Sequence, residues 1–339
     1  MNVALLGTGL LGEAVAERLH AAGHSLSVYN RSAGKTQRLR QLGVAVAPTA
    51  AEAMSKADVV LLLLADEAAI RAVLLDTKNR SAISGRMVIQ MGTIGPAESR
   101  SIQAEITRLG GRYVEAPVLG SIAEGKTGTL LIMVGGTPED YAEWTPLLQT
   151  LGSDVRLVGP VGKAAVMKLA LNQLIAAEMA AFALSLGLIR EGGVDQGTFM
   201  EVLRKSALYA PMYDKKLPRL AKRQYEQPNF STRHLLKDVD LFLAAAHRPT
   251  EEDRGSGRGG ERPRLLPLRH RCAQAKGREG GDSLQRADRR LGRTYEGCGC
   301  HPRHARGWSD AHGYLRGNGT WQKAPASMFL KAWNCCRRR

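Results

Sequence analysis

Lys168 and Asn172 stand four residues apart in the run Gly162-Lys163-Ala164-Ala165-Val166-Met167-Lys168-Leu169-Ala170-Leu171-Asn172. On a helix such residues share one face, with Cβ atoms roughly 5–6 Å apart, so an ammonium and a carboxamide converge on one small oxygen. A lysine among Val166, Met167, Leu169 and Leu171 must be satisfied or deprotonated, and either state suits proton transfer. The bland alternative is a lysine snorkelling from an apolar helix. Asn172 one turn on, and the glycines at 159 and 162, favour the catalytic reading.

A second set of residues is suited to holding a dinucleotide. Gly7-Thr8-Gly9-Leu10-Leu11-Gly12 follows a short apolar run and precedes a helical pattern. In that context Gly7 permits the tight turn, Gly9 lets backbone approach a pyrophosphate, and Gly12 lets helix and strand pack closely. The next strand ends in Asn30-Arg31-Ser32 rather than in an acid that would bind both ribose hydroxyls. Arg31 can stack on adenine and pair with a 2′-phosphate that Ser32 also bonds, which favours NADP over the alternative, NAD; a solvated surface arginine is the other reading. Leu64 and Ala65, ending the apolar run 59–64, are assigned to the same cofactor.

Two further strand ends carry polar turns. In Gln90-Met91-Gly92-Thr93-Ile94, Thr93 either contacts the nicotinamide end of a cofactor or caps a helix. In Glu115-Ala116-Pro117-Val118-Leu119-Gly120-Ser121, the turn at Gly120 and Ser121 is suited to a substrate carboxylate, through backbone N–H groups and a hydroxyl. A simple turn would look similar.

The elements that must position these residues alternate regularly. Strands are expected at 2–6, 25–29, 44–46, 59–64, 87–90, 113–115, 130–134 and 154–157. Helices are expected between them, near 35–42, 50–55, 67–75, 97–109 and 138–148, which implies a doubly wound α/β sheet. From 164 to about 190 the chain is helical and apolar almost all round, the pattern of a helix buried by neighbours on most faces. Helices follow at 196–203 and 234–246, separated by the polar stretch 211–228.

The net charge of +16 is unevenly spread: residues 248–339 hold eighteen arginines and three lysines against nine acids, leaving only +4 for residues 1–247. That tail also holds all five cysteines, three of four tryptophans and no valine or isoleucine, so it has little from which to build strands or a dense core. Cys298, Cys300, His301 and His304 are metal-capable but too crowded for a tetrahedral site, and no metal is expected. Nucleic-acid binding through arginine runs such as Arg337-Arg338-Arg339 is a minor alternative. With a glycine turn directly after residues 3–6, no signal or membrane span is read at the N-terminus, and a cytoplasmic protein is expected.

Together the glycine turn, residues 115–121, residues 162–172 and Lys237-Asp238 within His234-Leu235-Leu236-Lys237-Asp238-Val239 resemble the β-hydroxyacid dehydrogenase family over residues 1–247. Asn30-Arg31-Ser32, Met91-Gly92-Thr93-Ile94 and Glu115-Ala116-Pro117 look closest to its NADP-dependent glyoxylate/succinic semialdehyde reductase branch. The resemblance implies an α/β Rossmann domain (1–160), then a long interdomain helix and an all-α second domain (161–247), here truncated or aberrant. It implies Lys168 as general acid, Asn172 holding the substrate oxygen, Lys237 near the cofactor and Thr93 near the nicotinamide. The implied substrate is a small carboxylate-bearing aldehyde or hydroxy acid, and the implied assembly a homodimer or homotetramer. The family's carboxylate turn carries serine where this chain has Leu119, and Ala164 stands where a second glycine is common. Residues 248–339 never recover an amphipathic period; a frameshift in a GC-rich gene would account for their composition, the bland alternative being a basic disordered extension. Catalytic impairment by that tail is the alternative outcome.

Overall fold

The computed structural model describes residues 1–226 and 230–246, together with the backbone of 314–317 and 320–323. The chain divides into two compact units, Met1–Ser256 and Gly257–Arg339.

The first unit opens with β1 (Asn2–Leu6), α1 (Leu10–Ala21), β2 (Ser25–Tyr29), α2 (Gln37–Gln41), β3 (Ala45–Val46), α3 (Ala50–Met54) and β4 (Val59–Leu62). It continues with α4 (Glu67–Val73), β5 (Met87–Gln90), α5 (Pro96–Arg108), β6 (Arg112–Glu115), β7 (Val118–Leu119), α6 (Ile122–Thr127), β8 (Leu130–Gly135), α7 (Pro138–Leu151) and β9 (Gly152–Gly159). The helical part is α8 (Lys163–Glu191), α9 (Gln196–Lys205), α10 (Pro211–Lys222) and α11 (Thr232–Ala246). The sheet runs β3-β2-β1-β4-β5-β6-β8-β7, with β9 added beside β8. From β3 to β6 every pairing is parallel; β8 runs antiparallel to β6 and β7 and parallel to β9.

Alternation along the central strands feeds two cores, one on each face of the sheet. Val3 and Leu5 of β1, Val59 and Leu61 of β4, and Met87 and Ile89 of β5 face one side with Val15 and Leu19 of α1. Ala4, Leu6, Val60, Leu62 and Val88 face the other with Ile102 and Ile106 of α5. Leu5, Leu6, Leu61 and Leu62 are fully buried, each contributing roughly 1.5–3 kcal/mol by removal from water. The reversal of strand order between β1 and β4 places the carboxyl ends of β1, β4, β5 and β6 along one edge, where open α/β sheets take ligands.

The helical part departs from the sequence reading in two ways. The stretch 211–228 is not merely a polar connection, because α10 forms within it. Its narrow stripe of Tyr213, Leu217 and Leu220 packs on Phe182, Leu186 and Met200, with Tyr213 stacked on Phe182 at 4.5 Å. Lysines, arginines and the internal Pro218 mask that stripe in the sequence. Nor is α8 covered on most faces: Leu174, Leu184 and Leu188 are 55%, 70% and 71% exposed. A helix of 29 residues spans about 44 Å, and α9, α10 and α11 do not surround it. By length and composition alone α8 could cross a membrane, but its first three turns are packed against the sheet domain and α11.

In the second unit, β10 (Tyr314–Gly317) and β11 (Thr320–Lys323) pair antiparallel. These are short strands in a tail expected to have little from which to build any. Asn318-Gly319 between them is a hairpin signal that composition alone hides. Cys298, Cys300, His301, His304 and Arg337-Arg338-Arg339 lie outside the described residues.

Candidate active site

The glycine turn at the end of β1 is shaped by close approaches. A Cβ on Gly12 would lie 2.0 Å from the Gly7 carbonyl oxygen, and one on Gly7, where φ is +105°, would lie 2.5 Å from the Leu63 oxygen. Gly9 is different, since a Cβ there would meet nothing within 4 Å. Two glycines are thus fixed by protein packing, and the middle one faces open space at the N-terminus of α1, where backbone N–H groups favour a phosphate. Leu10 beside it is 58% exposed, and Leu11 packs inward on the sheet core.

The turn is braced from β2. Asn30 Oδ1 accepts from the Thr8 N–H at 3.1 Å, Asn30 Nδ2 donates to the Ser32 carbonyl at 3.0 Å, and the Thr8 hydroxyl donates to the Lys35 carbonyl at 3.1 Å. Asn30 therefore orders the loop, while Arg31 and Ser32 are exposed. Arg31 has no side-chain partner among the described residues, so its guanidinium is available to an external anion. Leu64 lies between the turns that follow β1 and β5: its side chain approaches Gly7, and its carbonyl leaves no room for a Cβ at Gly92. Ala65 is exposed at the same edge. These residues fit a dinucleotide carrying a 2′-phosphate.

Lys168 and Asn172 occupy one face of α8 with Ala164, Ala165 and Leu169, and are 9% and 3% exposed. Burial lowers the Lys168 ammonium to about 8; Asp238 opposes that fall and Lys237 reinforces it. Asp238, itself 2% exposed, accepts from Asn172 Nδ2 at 2.6 Å and pairs with Lys237 Nζ at 2.9 Å. Lys237 also donates to the Thr93 carbonyl. The α8 and α11 residues are therefore tied to one another and to the turn after β5. Lys168 shares a small gap with Gln90, Thr93, Glu115 and Pro117. The buried Gln90 Oε1 has no hydrogen-bond partner among the described residues.

Gly120, at φ +129°, and Ser121 follow β7, a two-residue strand in a stretch expected to be all turn. Glu124 of α6 accepts from both the Ser121 N–H and the Ser121 hydroxyl, each at 2.7 Å. Its other oxygen receives Lys215 Nζ of α10 at 2.7 Å. Lysine and serine together pull the Glu124 carboxyl down to about 2. The donors assigned to a substrate carboxylate already hold one from the chain itself.

Asp238, Glu115 and Gln90 belong to this site, though spacing along the sequence assigns them no role. Their common signal is a polar residue ending an apolar buried strand, as in Met87-Val88-Ile89-Gln90 and Tyr113-Val114-Glu115, or an acid on the apolar face of a helix. Glu115 is 1% exposed, and burial raises its pKa against the pull of the Ser99 hydroxyl and three backbone donors from the start of α8.

Comparison with known proteins agrees with the fold. Residues 2–159 match the family model described as the NAD binding domain of 6-phosphogluconate dehydrogenase, and residues 162–250 that described as NAD-binding of NADP-dependent 3-hydroxyisobutyrate dehydrogenase. Glyoxylate/succinic semialdehyde reductase 1 of Arabidopsis thaliana is 32% identical over 246 residues, 72% of this chain and 85% of that protein. The human cytokine-like nuclear factor N-PAC is 28% identical over 254 residues, 74% of this chain and 46% of that protein. Among solved structures, Mycobacterium tuberculosis 3-hydroxyisobutyrate dehydrogenase with L-serine shares the fold at a TM-score of 0.65 and 24% identity, over 72% of this chain and 86% of that one. With both family models in order and a relative above 30% identity over most of its length, the chain belongs to the β-hydroxyacid dehydrogenase family, as an NAD(P)-dependent oxidoreductase of the 3-hydroxyisobutyrate dehydrogenase type.

Proposed function

We propose that this protein is an NADPH-dependent reductase of small carboxylate-bearing aldehydes or 2-oxo acids, of the glyoxylate and succinic semialdehyde kind, which in reverse oxidises the hydroxy acid. One observation carries the reading: a buried lysine held near 8 shares a helix face with an amide anchored by Asp238, at the sheet edge where the glycine turn lies. The Arabidopsis relative named as a glyoxylate/succinic semialdehyde reductase supports the substrate class.

The bound cofactor supplies hydride to the carbonyl carbon. Gly7, Thr8, Gly9, Leu10, Leu11 and Gly12 would hold its pyrophosphate on a turn that Asn30 braces, and Arg31 with Ser32 would bind the 2′-phosphate. Leu64, Ala65 and Thr93 would contact the cofactor along the same edge, with Lys237 fixing the Thr93 carbonyl. Lys168 gives its proton to the carbonyl oxygen as the C=O π electrons move onto it. Asn172 Nδ2 carries two hydrogens, one bonded to Asp238 and the other free to point at the same oxygen. Gly120 and Ser121 receive the substrate carboxylate. The exposed leucines of α8 form the face that closes a homodimer or homotetramer.

The test is NADPH oxidation against a panel of small semialdehydes and 2-oxo acids. Lys168→Ala is expected to lower kcat by about 10²-fold or more, the typical contribution of a general acid, while NADPH still binds. Unchanged turnover in that variant removes Lys168 from the chemistry. A second reading, NADP binding without turnover, is favoured by the uncovered length of α8. Fluorescence-detected NADPH binding with no oxidation of any panel member selects it.

A further inference from the structure

The helix that carries Lys168 and Asn172 begins without a capping side chain of its own: Gly162 is its N-cap, at φ 101°. The first amides of a helix need acceptors from elsewhere. The Lys163 N–H finds the nearby Pro160 carbonyl, and one distant side chain serves its neighbours. Glu115 Oε1, from the end of β6, accepts from the N–H groups of Gly162 at 2.7 Å, Ala164 at 2.9 Å and Ala165 at 3.1 Å. Its other oxygen is held by the Ser99 hydroxyl, itself 2.9 Å from the Tyr113 hydroxyl. No cation pairs with Glu115 among the described residues, so its charge is met by the helix N-terminus and the hydroxyl. The space for this carboxylate is reserved, since a Cβ on Gly135 would stand 2.4 Å from Glu115 Oε1.

We propose that Glu115 is a positioning residue for the reaction: a carboxylate of the cofactor-binding sheet that grips the first turn of α8 and so sets where Lys168 stands relative to the nicotinamide edge. Lys168 lies six, four and three residues beyond the gripped amides of Gly162, Ala164 and Ala165, and Glu115 and Lys168 line the same small gap. The grip links the sheet that would hold the cofactor directly to the helix that carries Lys168. It uses an acceptor oxygen rather than an ion pair. The assignment rests on the catalytic reading of Lys168, but the grip itself is testable without turnover.

The experiment compares Glu115→Ala, Glu115→Gln and Ser99→Ala by amide hydrogen exchange, NADPH binding and steady-state kinetics on whichever carbonyl the unsubstituted protein reduces. In Glu115→Ala, exchange at Gly162, Ala164 and Ala165 is expected to rise roughly tenfold or more, as for loss of charge-assisted hydrogen bonds, with amides of β1 and β4 unchanged. Its kcat is expected to fall by about 10²-fold, the cost of a small misplacement of a catalytic group, with NADPH affinity unchanged. Glu115→Gln keeps an acceptor oxygen and should restore most of both. Ser99→Ala, which leaves the grip but loosens its orientation, should show a smaller change in the same direction, and decides the matter if Glu115→Ala does not fold. Unchanged exchange at the three amides in Glu115→Ala and Ser99→Ala overturns the proposal, as does a Glu115→Gln variant as impaired as Glu115→Ala. If no carbonyl is reduced, the catalytic reading fails while the exchange data still decide the grip.

Discussion

Lys168 shows how burial and neighbours together prepare one side chain. An ordinary lysine is charged across the physiological range and releases its proton reluctantly; desolvation brings this one to about 8, with Asp238 opposing and Lys237 assisting. A group that must be protonated to act gives a rate that is level below its pKa and falls above it. Carbonyl reduction should therefore have a kcat/KM that is flat at neutral pH and declines above about 8, and oxidation of the hydroxy acid should rise through the same region. A reduction profile that stays flat to pH 10 would contradict the assignment. Much of this site was legible in advance, because Lys168, Asn172 and Thr93 are polar residues in apolar or glycine-rich surroundings. The partners were not, because Asp238 and Glu115 do their work across 66 and 47 residues of sequence, and spacing along one helix carries no trace of such links.

At the scale of elements, the strands with alternating or continuous apolar runs stand where the sequence puts them, within a residue or two at their ends. The misses are short or weakly patterned. β7 has two residues and α6 six, too few for a period to show, and α10 hides its stripe among basic residues. The sharper disagreement concerns α8, whose apolar surface outruns its neighbours in the chain. Leu174, Leu184 and Leu188 are the residues through which a second copy would cover it. Replacing Leu184 and Leu188 with glutamate should convert a dimer or tetramer to a smaller species in sedimentation while NADPH affinity, which belongs to the sheet edge, is retained. If the unsubstituted protein already sediments as a monomer, α8 is not such an interface.

For the whole molecule, the second family model ends at residue 250, close to the point where valine and isoleucine vanish and arginine accumulates. A change of reading frame after codon 247 predicts that another frame of the same nucleotide sequence encodes a Leu/Ala-rich helical segment; its absence would refute the idea. Deleting residues 248–339 should leave NADPH binding intact, and salt-sensitive DNA binding that disappears with this deletion would instead give the tail a function of its own. The contact of Ser121 and Lys215 with Glu124 has a further meaning for substrate choice. A carboxylate tethered three residues from Ser121 is present at a local concentration, on the order of millimolar or more for short tethers, which a free acid must match. An anionic substrate at this turn would thus compete with the protein's own side chain for the Ser121 donors, while the other Glu124 oxygen stays with Lys215 of α10. The carboxylate that guards the seat is therefore also the one that ties α6 to α10, so a substrate's charge at Ser121 would be felt next by Lys215 of the helical domain.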